Sequence, residues 1–211
     1  MKNSILFLLL VLMAGPFAEI KAQNDTTAAD IVKSRNKNIR HMLDYRFKGG
    51  SGEFERLLLQ HVSYTPEALS NCVIGTVILS FNVDCENNAS DLRMRNPLHY
   101  GLNEKIQSFY KATHGQWNNC KDDRYTRFEI PILFTISKTE TAATGFIVVE
   151  GEGLGLRCKN DAYYFDLYTK NKEKGKVKRA LEYLDILIRR DPYNQSYYEL
   201  KKELLDQKQE E

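Results

Sequence analysis

At 211 residues with 42% hydrophobic composition, the chain holds one ordinary core and a small appended element, but not two full domains. Lysine plus arginine total 30 against 28 acidic residues, a net charge of +2, which supplies no field for nucleic acid or an anionic membrane; no basic arm interleaved with aromatics is present either. The four cysteines lack C-x-x-C spacing and neighbouring histidines, so no metal centre is expected.

The segment MKNSILFLLLVLMAGPFAEIKA at 1–22 places Lys2 ahead of an apolar run over 5–18 and ends in Ala22. That is the pattern of a secretory signal peptide cleaved after Ala22. The run is shorter than the roughly 20 residues that cross a bilayer as a helix. Export is therefore expected, with an uncleaved inner-membrane anchor as the alternative. Residues 23–46 read as a flexible lead-in, because 24–38, NDTTAADIVKSRNKN, is polar and lacks periodicity.

Gly49, Gly50 and Gly52 then form a loop into a helix whose apolar residues Phe54, Leu57, Leu58 and Val62 share one face. Pro66 and Glu67 start a further helical turn. After Gly75, alternation puts Val77, Leu79, Phe81 and Val83 on a core face and Ile78, Ser80, Asn82 and Asp84 on the solvent side. CENN at 85–88 is a turn, and ASDLRMRNP returns as a second strand with Leu92 and Met94 on one face. GLNEKIQSFYKATHG follows as a helix with Leu102, Ile106, Phe109 and Tyr110 on one side and Gly115 as terminator. RYTRFEIPILFTIS alternates again, with Tyr125, Arg127, Glu129, Ile130, Ile132 and Phe134 in a strand that shifts face near Pro131. Proline donates nothing to a ladder, so this strand belongs at a sheet edge or is bulged there.

The order strand, strand, helix, strand predicts an α+β domain with a small antiparallel sheet in the order 2-1-3, the helix on one face. Cys85 and Cys120 then fall at one end of the sheet, Cys72 and Cys158 at the other. The predicted disulfides are Cys85–Cys120 and Cys72–Cys158. A short strand is expected over 146–149 within the connecting segment 139–160. The tail 161–211 reads as a helical hairpin with Val177, Ala180, Leu181, Leu184, Leu187 and Ile188 in one stripe, closed by Asp191 and Pro192. It resembles part of a tetratricopeptide repeat, too little for a solenoid.

No nucleophile elbow or zinc-protease signature occurs. His41, His61, His99 and His114 are scattered, and GEGLG at 151–155 lacks the spacing and lysine of a phosphate loop. An enzyme is therefore not expected. Trp117 is expected beneath the sheet, with a peptide-contacting place as the alternative. Tyr163, Tyr164, Tyr168, Tyr193, Tyr197 and Tyr198 form a packing stripe or an exposed partner surface.

Over 47–138 the chain resembles the C-terminal domain of TonB-family energy transducers, in the form found in exported Bacteroidetes proteins. The residues carrying this are Phe47-Lys-Gly-Gly, the helix over 54–62, Tyr64, Pro66 and Ala68, Gly75-Thr-Val, Ser80-Phe-Asn-Val-Asp84, Gly101-Leu-Asn-Glu104, Gly115-Gln-Trp117 and Ile130-Pro-Ile-Leu-Phe134. The resemblance implies a periplasmic, non-enzymatic protein–protein interaction module without a cofactor. In that family a short box peptide of an outer-membrane receptor is captured by pairing with an exposed sheet edge. The edge strand and its flanks, Tyr125, Arg127, Glu129, Pro131, Tyr64 and Trp117, are then the expected partner-binding residues, in a role linked to receptor-dependent transport or the envelope. A second copy of the chain is another occupant that a free edge admits.

The chain departs from the family in having five prolines and no proline-rich spacer, Thr65 between Tyr64 and Pro66, no glycine in the hairpin turn, and a long C-terminal extension. These departures imply a repurposed copy. Two alternatives follow: a scaffold in which the helical tail recruits the partner and the sheet is structural, or an anchored energy transducer if the N-terminal segment is retained.

Overall fold

The computed structural model describes residues 28–120, 126–153 and 158–209; the expected signal peptide lies outside them. The fold is α+β: α1 (Ala28–Arg46), α2 (Gly50–His61), α3 (Pro66–Ser70), β1 (Gly75–Val83), β2 (Ala89–Arg95), α4 (Leu102–Ala112), β3 (Thr126–Ile136), β4 (Ile147–Gly151), α5 (Asp161–Glu173), α6 (Val177–Arg190) and α7 (Gln195–Gln209).

The sheet order is β2-β1-β3-β4. β1 pairs antiparallel with β2 and β3, so the expected 2-1-3 order holds within it. The expectation of an all-antiparallel sheet is corrected by β4, which joins β3 in parallel from Ile132↔Ile147 to Ile136↔Gly151. Residues 137–146 carry the chain back along the sheet, so β4 enters in the direction of β3.

Val77, Leu79, Phe81 and Val83 pack with Phe54 and Leu58 of α2 and with Leu102, Ile106 and Phe109 of α4 in one core. Its aromatic centre is Trp117, whose ring lies 4.9 Å from Phe47 and 5.1 Å from Phe128. Local chemistry sets the helix ends. Thr65 caps α3 by accepting from the Ala68 N–H at 3.1 Å, with Pro66 in the first turn. Gly175, at φ +64°, ends α5: its N–H reaches the Lys172 carbonyl, and the Lys176 N–H reaches that of Asn171.

Three expectations are corrected. The flexible lead-in is largely α1, whose Ile39, Leu43 and Arg46 are buried; three well-placed residues anchor a helix whose first half is mostly exposed. The C-terminal hairpin is instead three helices, because Gly175 separates α5 from α6. These helices form a small core of their own around Tyr168, Ala180, Leu184, Leu187 and Leu204. Finally, Ile78 and Ser80 are 5% and 4% exposed rather than solvated.

The tail docks on the second sheet face at the start of β1. Thr76 Oγ1 donates to the Arg190 carbonyl at 3.2 Å, and Asn96 Nδ2 to that of Arg189 at 2.6 Å. Arg190 in turn pairs with Asp161 at 2.7 Å. Both disulfides form as expected, Cys72–Cys158 with Cα atoms 5.5 Å apart and Cys85–Cys120 with Cα atoms 4.8 Å apart. The first bridge also ties the tail to the segment before β1.

Gly75 sits under the docked tail. A Cβ there would lie 2.7 Å from the Arg189 carbonyl oxygen and 3.1 Å from Leu98 Cδ2. Backbone cannot swing aside as a side-chain tip can, so Gly75→Ala is expected to destabilise by about 2 kcal/mol. Urea unfolding measures it; an unchanged midpoint would mean that the tail is not seated on β1.

Candidate functional site

The sheet has one interior opening. β4 pairs with β3 only from Ile132 onward, and among the described residues no strand flanks the side of β3 away from β1 over 126–131. The Phe146 N–H donates to the Pro131 carbonyl at 2.8 Å, so the main-chain groups of Pro131 face away from β1. The period of two turns those of Glu129 and Arg127 the same way. Pro131 therefore stands where its missing N–H removes nothing from the β1 ladder. The expected edge strand is an edge over its first half only.

Helix α1 runs alongside this opening, antiparallel to β3. Its last residue, Arg46, donates through Nη1 to Thr126 Oγ1, and Asn36 Nδ2 donates to the Gly145 carbonyl at 3.2 Å, next to the Phe146–Pro131 bond. Ten helical residues rise about 15 Å, which matches the roughly 17 Å of extended chain from 126 to 131. Between helix and strand lies a groove of about 660 Å³, with Ile31, Arg35, Ile39 and Met42 of α1 facing Arg127 and Glu129 of β3.

Charges around the groove are largely matched. Glu129 accepts from Arg95 at 2.9 Å across the sheet and from Arg127 at 3.4 Å. The Arg35 guanidinium stacks on the Tyr193 ring, 4.3 Å from its centroid, and burial pushes the Tyr193 hydroxyl pKa up. Burial likewise raises the pKa of the neighbouring Asp191 carboxyl. The lining is thus an apolar helix stripe, a paired charge set and main chain of unfilled pairing capacity.

Of the residues singled out in the sequence, Arg127 and Glu129 line the groove, and Pro131, bonded to Phe146, ends the open stretch of β3. Tyr125 lies outside the described residues. Tyr64 is elsewhere: its hydroxyl donates to the Val73 carbonyl at 2.8 Å, and its ring packs edge-on against Phe134. Burial pushes its phenol pKa well above the ordinary value. Trp117 is fully buried and Tyr64 half-buried, and neither lines the groove. The α1 residues were missed, although Ile31, Ile39 and Met42 recur at helical spacing; polar neighbours diluted the stripe.

Among the described residues, no group of three or more His, Cys, Asp or Glu side chains is arranged to hold a metal ion, and no helix is long and apolar enough to cross a membrane. The two disulfides fit an oxidising, exported compartment. Compared with known proteins, the chain matches no family model, no curated protein and no solved structure.

Proposed function

We propose that this protein is a non-enzymatic periplasmic protein–protein interaction module of the TonB C-terminal-domain type. It binds an extended peptide, such as the periplasmic box of an outer-membrane receptor, in the groove between α1 and β3. The observation carrying this reading is the first half of β3, paired with β1 on one side only, beside a groove whose helix wall carries Ile31, Ile39 and Met42. Main-chain pairing with Arg127 and Glu129 supplies affinity that depends little on sequence, and the helix stripe selects side chains. The ordered motifs over 47–138 and the two disulfides support the same reading.

Titration of the protein with receptor-box peptides, followed by amide chemical shifts, tests it. Shifts centred on 126–131 are expected. In Glu129→Pro the lost N–H faces away from β1, so the fold is retained while peptide affinity falls about tenfold. Absence of any shift at millimolar peptide would remove the receptor-peptide function.

A further inference from the structure

We infer that the first half of α1 is a displaceable cover over the binding edge, so that the free protein is held in a closed state; this rests on the peptide-pairing reading above. An added strand needs to lie about 4.8 Å from β3. The space directly along 126–131 is flanked by α1, from the Arg46–Thr126 contact at one end to the Asn36–Gly145 contact at the other. A peptide pairing with Glu129 toward the inner end of this edge therefore displaces the first half of α1.

The helix is anchored unevenly, and this asymmetry defines which part moves. All three of its buried residues, Ile39, Leu43 and Arg46, lie in the second half, and none of residues 28–38 is buried. The first half is held through polar contacts: Asn36 Nδ2 to the Gly145 carbonyl, and Arg35 stacked on Tyr193. Such contacts exchange for water at little cost, whereas lifting the second half would expose core and strand the Arg46 guanidinium. A break near Ile39 frees the inner end of the edge at Glu129 and leaves Arg127, beside the Arg46–Thr126 contact, covered. Arg35 also reads the tail through Tyr193, so the tail holds the cover shut.

Native-state hydrogen exchange decides between a lifting and a fixed helix without any ligand. Amides 32–38 are expected to exchange through local opening about a hundredfold faster than amides 40–46, which wait for global unfolding. Equal rates in both halves would overturn the cover. Arg35→Ala with Asn36→Ala, or Asn36→Ala alone should the pair misfold, is expected to raise exchange over 32–38 and to tighten box-peptide binding about tenfold. Unchanged affinity for a peptide that does bind would also overturn it. Fast opening over 32–38 with no peptide bound by either protein would support the cover and dismiss the peptide-binding function.

Discussion

Replacing Cys72 and Cys158 together by serine is expected to lower the free energy of unfolding by about 4 kcal/mol, because in the chain-entropy account a bridge stabilises in proportion to the logarithm of the loop it closes. This bridge spans 86 residues, against 35 for Cys85–Cys120, so it is the larger of the two. It also holds the tail on the second sheet face, where Thr76 and Asn96 donate to the end of α6. Against a typical domain stability of about 5–15 kcal/mol, removing both bridges leaves little. The reduced protein is expected to be largely unfolded at body temperature. Urea unfolding with and without reductant measures this, and coincident midpoints would show that the bridges contribute nothing.

A comparable loss is expected from Arg46→Met. The Arg46 side chain is 1% exposed. It donates through Nη2 to the Asp84 carbonyl at 2.7 Å, through Nε to the Asn118 carbonyl at 3.3 Å, and through Nη1 to Thr126 Oγ1. One guanidinium thus joins the end of α1, the end of β1, the segment after α4 and the start of β3. Burial pulls its pKa below the usual guanidinium value, while the nearby Asp84 charge opposes that shift. Methionine keeps most of the stem volume but leaves buried acceptors unsatisfied, for an expected loss of about 3 kcal/mol. The melting temperature should fall by roughly 6–12 °C. Arg46→Lys should recover only part, since a point charge cannot reach three acceptors in a fixed fork. Full recovery by lysine would mean that charge alone matters at this position.

These two sites differ in how visible they were beforehand. The disulfides follow from strand order, because cysteines next to strand ends inherit the positions of those ends. Arg46 carries no such mark: it sits in a polar stretch, and its burial depends on three acceptors from 38 to 80 residues away in the chain. The groove is half legible in the same sense. Pro131 announced an edge, and Arg127 and Glu129 fell on it through the period of two. The helix forming the opposite wall was hidden, since Ile31, Ile39 and Met42 are separated by lysines, arginines and asparagines.

By itself the sequence determined what short-range physics controls: the alternation of β1, the amphipathic α4, the Pro66-Glu67 start of α3 and the pairing of four cysteines. Each depends on neighbours in the chain or on the ends of elements already placed. Only the tertiary structure decided that β4 enters parallel and leaves the outer side of half of β3 unpaired, that Thr76 lies under the tail and Ser80 is buried, and that α1 lies beside the open edge. Such features depend on which distant surface a face meets. A hydroxyl turned toward solvent and one turned toward a docked helix, as at Thr76, look the same in a strand of alternating residues, and only the packed partner separates them.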